Sequence, residues 1–333
     1  MRLASLWYGS HPLSIALAPL GWLFGWVAAV RRRAYRAGLL RSTKMPVPVI
    51  VVGNITVGGT GKTPVVIWLV EMLRRAGQRP GVVSRGYGGA ATTWPQTVDA
   101  DSDPSMVGDE PVLIARRTAC PVVVGPQRVQ AARKLLADHD CDVIVSDDGL
   151  QHYALARDFE IAVIDGARRL GNGRCLPAGP LRERPVRLQT VDVVLVNGEG
   201  PVGECTFRLS GDRAISLLDP NISRNLDQWR GGTVHGVAGI GNPDRFFAYL
   251  RVRGLTVVEH PFPDHHRFHE EELQFGDDLP VIMTEKDAVK CRSFARPHHW
   301  SVPVDAHLDP ACEQRLQHLL ADALNVTADK GAR

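Results

Sequence analysis

A chain of 333 residues exceeds one average domain, and its 44% hydrophobic and 23% charged residues are the balance of a folded protein, which excludes long disorder. The net charge of +3 is unevenly placed: residues 1–44 carry seven Lys and Arg and no Asp or Glu, so removing those seven leaves −4. The rest of the chain therefore lacks the basic signature of a nucleic-acid binder, and six scattered cysteines without a C-x-x-C pair fit a reducing compartment.

Residues Leu3 to Val30 include no Lys, Arg, Asp or Glu, and LSIALAPLGWLFGWVAAV (13–30) approaches the roughly 17–25 apolar residues that a bilayer-spanning helix needs. A cleaved secretory signal carries its positive charge before the apolar run, whereas Arg31, Arg32 and Arg33 follow it here. The expectation is an uncleaved membrane helix in an anchor of residues 1–44, with everything after Arg31 on the cytoplasmic side. Pro12 and Pro19 leave open a helix embedded in one leaflet, and a buried helix of a soluble core is the blander alternative.

After Lys44, short β-branched runs alternate with helical stretches. Segments 47–54, 80–86, 121–125, 142–149, 159–166 and 191–197 each read as a strand buried on both faces, the pattern of a parallel sheet wrapped by helices. A Gly- and Arg-rich loop occupies 166–187, and 204–218 reads as a pair of linking strands. From Gly232 a second alternation begins and ends in a helix from about Pro310 to Leu324. The expected fold is α/β: a P-loop kinase-like domain over 45–225 and a smaller α/β domain over 226–333. Gly239-Ile240-Gly241 lacks the third glycine of a dinucleotide fingerprint and precedes Pro243, so it reads as a plain strand-to-helix turn.

The strongest local signal is GNITVGGTGKTP (53–64), set between a buried strand and an amphipathic helix. Phosphate binding needs converging backbone N–H groups, and Gly58, Gly59 and Gly61 let the chain turn tightly enough to supply them together with Thr56, Val57 and Thr60. Lys62 is placed to reach the β- and γ-phosphates and Thr63 to ligate Mg²⁺. Thr56 stands where G-x-x-x-x-G-K-[ST] begins with glycine. A second Mg²⁺ anchor is expected where the strand 143–145 runs into Asp147 and Asp148, since neighbouring carboxylates resist joint ionisation without a cation. No N-K-x-D guanine reader occurs, so ATP is the expected donor.

Transfer to a hydroxyl needs a group that orients and deprotonates the acceptor. Asp109 in VGDEP, His152 in DDGLQH and the cluster Asp264-His265-His266-Arg267 are the candidates; Asp109 also reads as a helix N-cap, and Asp264, His265, His266 and His269 together as a transition-metal site. On the residues alone, a membrane-tethered P-loop ATPase or switch competes with a kinase.

Taken in order, GNITVGGTGKTP, SRGYGG (84–89), VGDEP (107–111), VSDDGLQH (145–152), GNGRCLPAGPLRE (171–183), FPDHHRF (262–268) and TEKDAVK (284–290) closely resemble the tetraacyldisaccharide 4'-kinase family, the lipid A 4'-kinases of Gram-negative envelopes. The family's loop is similar to the TVGGTGKT form, Thr56 included. The resemblance implies transfer of the ATP γ-phosphate to the 4'-hydroxyl of a tetraacyldisaccharide 1-phosphate, forming lipid IVA at the cytoplasmic face of the inner membrane. It also implies a catalytic pair matching Asp109 and His265, with Asp109 as base. Asp147, Asp148, Gln151 and His152 fall on the family's Mg²⁺ and active-site motif. Arg85, Arg182 and Arg184 are candidates to grip the acceptor's phosphate, with exposed loop arginines as the blander reading, and Asp264 is placed to hold a histidine. ATP, Mg²⁺, the glycolipid and membrane lipids are the expected partners; neither nucleic acid nor an obligate protein partner is indicated.

Overall fold

The computed structural model describes the backbone of residues 3–9 and 11–331 and the side chains of 6–9 and 11–324; Arg2, one of the seven N-terminal basic residues, lies outside them. Three helices open the chain: α1 (Leu3–Tyr8), α2 (Pro12–Ala16) and α3 (Ala18–Arg36). Pro12 and Pro19 each fall in the first turn of a helix, where their missing N–H costs nothing, so the apolar run is divided at Leu17 instead of forming one rod. α3 also continues through Arg31, Arg32, Arg33 and Arg36, and among the described residues no helix is long and apolar enough to cross a membrane. The expectation of a bilayer-spanning anchor is thereby corrected.

A buried core helix is not found either. Trp22 and Trp26 are 72% and 61% exposed, with Leu20, Leu23 and Val27 beside them, and only Ala18, Gly21 and Gly25 of α3 are buried. That narrow stripe lies on the 171–184 loop. A Cβ on Gly21 would stand 2.7 Å from the Cys175 carbonyl oxygen, and one on Gly25 would stand 2.9 Å from the Cys175 sulfur. Glycine is thus required for close approach.

The first sheet begins with β1 (Val49–Gly53), which leads into α4 (Lys62–Arg75), β2 (Pro80–Ser84) and β3 (Gln96–Val98). Helices α5 (Pro104–Val107) and α6 (Asp109–Thr118) follow, then β4 (Val122–Val124), α7 (Arg128–Asp138), β5 (Val143–Asp147), β6 (Phe159–Asp165), β7 (Val193–Asn197) and β8 (Cys205–Ser210). The second sheet takes β9 (Arg213–Ser216), β10 (Ser223–Asn225), β11 (Thr233–Ala238), α8 (Pro243–Val252), β12 (Thr256–Pro261), β13 (Val281–Thr284), α9 (Glu285–Cys291) and β14 (His299–Val302). β15 (Asp305–Leu308) and α10 (Pro310–Gly331) close the chain.

Nine strands form one sheet in the order β15-β8-β7-β6-β1-β5-β2-β4-β3, and six form the other in the order β10-β9-β14-β13-β11-β12. In the large sheet only the edges β3 and β15 run antiparallel; the six strands expected from sequence and β8 are its parallel centre, with β1 buried at every residue. The second sheet is parallel from β12 through β14 and antiparallel at β9 and β10.

The boundary expected at 225/226 does not follow these sheets. The stretch read as two linking strands divides between them, and β15 returns to pair with β8 while Leu316 and Leu320 of α10 enter the large core. The return has a packing cause, because α10 covers apolar surface of β8 that the first sheet would otherwise expose.

Parallel register brings the ends that matter to one edge. Val52 pairs with Asp147 and Asp165 with Asn197, so the loop after β1, the acidic end of β5 and the ends of β6 and β7 all emerge together. Because α3 is seated through its glycine stripe, Gly21→Leu is expected to lower the thermal midpoint by an amount worth about 1–3 kcal/mol, as overpacking of a tight contact does. The exposed Trp22→Ala should leave the midpoint unchanged, and equal losses in both variants would show that the stripe does not seat the helix.

Candidate active site

The P-loop runs from Asn54 to Gly61, where φ of +93° starts α4 with its first N–H groups free. A Cβ at Gly61 would meet the Asn197 amide nitrogen at 2.6 Å, and that amide donates to the Thr60 carbonyl at 3.0 Å. Thr56 and Val57 are fixed from the other side: Thr56 bridges Leu181, and Val57 N donates to Pro180 O at 2.8 Å. The same 171–183 loop that receives α3 therefore braces the phosphate loop.

At the end of β5 the two aspartates diverge. Asp148, with φ of +48°, ion-pairs with Arg182 at 2.8 Å and Lys62 at 3.7 Å. Burial would raise its pKa, but those cations hold it well below the usual carboxylate range. Asp147 is fully buried and accepts from Ser84 Oγ at 2.9 Å through Oδ2, while its Oδ1 has no hydrogen-bond partner. Burial first, then Glu110 and Asp148, push its pKa up. An orphaned buried carboxylate oxygen near Lys62 is what a divalent cation would satisfy. No group of three His, Cys, Asp or Glu among the described residues could hold a metal unaided, so such an ion would need Thr63, phosphate oxygens and water as further ligands.

Asp109 is the first residue of α6, and the N-cap position belongs to Gly108, at φ +95°. The Asp109 side chain accepts from the Glu110 backbone N–H at 2.9 Å and faces across the seam between the sheets. Both its oxygens lie 3.2 Å from His265 Nδ1. His265 sits in left-handed backbone at φ +60°, with its ring 4.9 Å from that of Tyr87, which gives the SRGYGG segment a part in the site. Burial favours neutral Asp109, yet the His265 hydrogen bond and the charges of Lys286 and Lys290 prevail, so its pKa lies below the ordinary range. Burial likewise opposes charge on His265, and the Asp109 and Asp264 carboxylates outweigh it and raise that pKa.

The three histidines of the candidate transition-metal site have separate partners. His265 faces Asp109, His266 Nε2 lies 3.0 Å from both Glu272 oxygens, and His269 caps the turn Glu270–Leu273. Gln151 donates to Asn54 O at 3.1 Å and to Glu183 at 2.9 Å, supporting the P-loop. His152 is held to a pKa of about 3 by burial and by Arg128 and Arg85.

Sequence reasoning missed Glu110, Asn197, Arg245 and Lys286. Lys286 Nζ lies 3.0 Å from Glu110, 3.2 Å from Asp264 and 3.4 Å from His265 Nε2; Arg245 reaches Asn197 at 2.6 Å and Asp165 at 3.3 Å. The TEKDAVK motif was the available signal for Lys286, but nothing in its spacing pointed to Asp109. Glu110, Asn197, Arg245, His265 and Lys286, residues 57–63, Asp147 and Asp148, together with Phe24, Val27, Ala28 and Arg31 of α3, line one cavity of about 1070 Å³, and Asp109 lies against His265 just behind that lining.

Residues 13–321 match the family model described as tetraacyldisaccharide-1-P 4'-kinase, LpxK. The chain belongs to this family. A tetraacyldisaccharide 4'-kinase of Nitrosococcus oceani is 54% identical over 95% of this chain and 94% of its own length. One of Pseudomonas aeruginosa is 48% identical over 96% and 98%. The crystal structure of LpxK from Aquifex aeolicus in complex with ATP superposes with a TM-score of 0.78 at 27% identity, covering 94% of this chain and 99% of that one.

Proposed function

We propose that the protein transfers the ATP γ-phosphate to the 4'-hydroxyl of a tetraacyldisaccharide 1-phosphate, forming lipid IVA, as family membership and the relatives' names support. The observation that carries the reading is the buried Asp109 carboxylate held 3.2 Å from His265, which lines one cavity with Lys62 and Asp147. The P-loop amides and Lys62 take the phosphates. Asp109 orients the acceptor hydroxyl and receives its proton. A loose phosphoryl-transfer transition state asks for position more than for a strong base, so a carboxylate of depressed pKa is adequate if held in place. His265 fixes that carboxylate, and Lys286 places a cation where charge develops.

Mg²⁺ fits the donors that remain, with Thr63 and Asp147 as its protein ligands; bound there, it neutralises β- and γ-phosphate charge. Asp148 is the weaker candidate ligand, because Arg182 and Lys62 already engage it. Arg85 lines the cavity and Arg182 is committed to Asp148, which leaves Arg85 and Arg31 as the cations for the acceptor's own phosphate.

The acceptor's four acyl chains confine it to a bilayer, each buried CH₂ contributing about 0.8 kcal/mol. The reading is that α3 lies in the cytoplasmic leaflet of the inner membrane, its exposed Trp22, Leu23 and Trp26 among acyl chains and its arginines at the head groups. Phe24, Val27 and Ala28 then offer an apolar wall from the lipid into the cavity.

Lys62→Ala and Asp109→Ala should each lower acceptor-dependent phosphate transfer by about 10²–10⁴-fold with the fold intact by circular dichroism. A near-normal rate in Asp109→Ala would remove it from the chemistry, and ATP hydrolysis indifferent to the glycolipid would favour an ATPase. Because a proton and a cation compete for Asp147, whose pKa is raised, the Mg²⁺ concentration for half-maximal rate should fall as pH rises from about 6 to about 8. A requirement that does not change with pH would place the ion elsewhere. Trp22→Asp with Trp26→Asp should release the protein from vesicles containing anionic phospholipid in flotation, while turnover on detergent-dispersed acceptor persists; unchanged flotation would count against the docking of α3.

A further inference from the structure

TEKDAVK holds a second lysine that the reading above does not use. Lys290 follows Lys286 by one turn of α9, yet it does not line the cavity, and its side chain is only 10% exposed behind Asp109. Its Nζ lies 3.7 Å from Asp109 Oδ2 and 2.7 Å from Asp287 Oδ1, and 5.0 Å above the Phe268 ring.

Asp287 has no exposed surface. Its other oxygen accepts from Thr284 Oγ1 at 2.6 Å and from the Gly239 backbone N–H at 2.8 Å. Gly239 begins the turn that packs on the phosphate loop: a Cβ added to Gly241 would stand 2.6 Å from Gly59 N, and Gly241 O accepts from Arg168 at 2.9 Å. An unbroken series of polar contacts therefore runs from the turn over the P-loop through Asp287 and Lys290 to Oδ2 of Asp109.

We propose that Lys290, held by Asp287, is a positioning residue that fixes the Asp109 carboxylate against His265 and ties it to the turn covering the phosphate loop. The inference rests on Asp109 being the acceptor-orienting group. Of the two catalytic candidates, Lys290 touches only Asp109, so its effect on the reaction passes through that carboxylate. A lysine in this place does two things that neutral packing cannot. It compensates two buried carboxylates, and it restrains one of them relative to the other. Asp287 has a wider reach, because it also anchors Gly239.

The two residues therefore predict different kinetics. Lys290→Met should lower kcat by about 10–100-fold with the KM for ATP within about twofold, the pattern of a lost transition-state arrangement. Asp287→Asn should lower kcat and also raise the ATP KM, because the turn over the phosphate loop is released. Lys290→Arg, which keeps the charge, should recover kcat to within about fivefold of the parent. The four proteins, with Asp109→Asn as reference, are compared in steady-state transfer to detergent-dispersed acceptor alongside circular dichroism and thermal melting. A wild-type kcat in Lys290→Met, or a loss that follows the unfolded fraction and is not recovered by Lys290→Arg, overturns the proposal. If instead Asp109→Asn turns over normally, the assignment of Asp109 itself fails, and that result is separate from the behaviour of Lys290.

Discussion

Two sheets must meet before this site exists, and the contact that joins them is ionic. His265 stands on a loop of the second sheet and Asp109 at the start of a helix packed on the first, with 3.2 Å between them. Lys286 spans the same seam to Glu110, and Arg117 of α6 reaches Glu285 of α9 at 2.9 Å. Each pair is partly or wholly shielded from water, so its strength depends on all partners being present together. Parallel sheets hold the loops on either side, and in the proposed reaction that placement would let a depressed carboxylate serve where a stronger base would otherwise be needed.

The phosphate loop is supported on three sides. The 171–183 loop bonds to Thr56 and Val57, Asn197 and Arg245 hold Thr60, and the Gly239–Asn242 turn lies on Gly59. All three supports come from beyond the strand-loop-helix unit, and the 166–187 segment supplies one of them. Its buried Glu183 and Arg187 take part in a network with Tyr153 and Glu160 directly beneath α3. The N-terminal helix is thus seated on the same loop that shapes the phosphate cradle.

The parallel centre of the large sheet was legible because strands buried on both faces leave continuous runs such as 142–149, and the P-loop because its glycines and Lys62 follow such a strand. The fate of residues 305–331 was not: β15 is four residues long, and its return to β8 depends on a partner about a hundred residues earlier. On the residues alone Asp109 and His265 are separate candidates, each with a bland rival, since nothing local records that they meet; only the family resemblance pairs them. The paired aspartates illustrate the same limit. Side by side in sequence they look equivalent, yet the turn after β5 sends Asp148 to Arg182 and leaves Asp147 facing Ser84 with one oxygen free. The apolar N-terminal run misled in the opposite direction: its hydrophobicity is real, but two prolines and a glycine stripe fold it onto the protein's own surface.

That stripe bears on how a bilayer-confined acceptor could meet a water-soluble donor. One face of α3 is committed to the 171–184 loop through Gly21 and Gly25, so the helix cannot rotate without losing contacts closer than 3 Å to any added Cβ. The orientation of Trp22 and Trp26 relative to the cavity is consequently fixed by packing and not by the lipid. In the proposed arrangement the protein does not extract its acceptor. A head group sliding along the interface would meet Arg31 and the wall of Phe24 and Val27 before it met the nucleotide, and the acyl chains would never need to leave the apolar phase. The energetic obstacle to such a reaction, exposure of acyl chains to water, is avoided by where the helix is seated, which leaves the binding energy of the head group to be spent on alignment with the γ-phosphate.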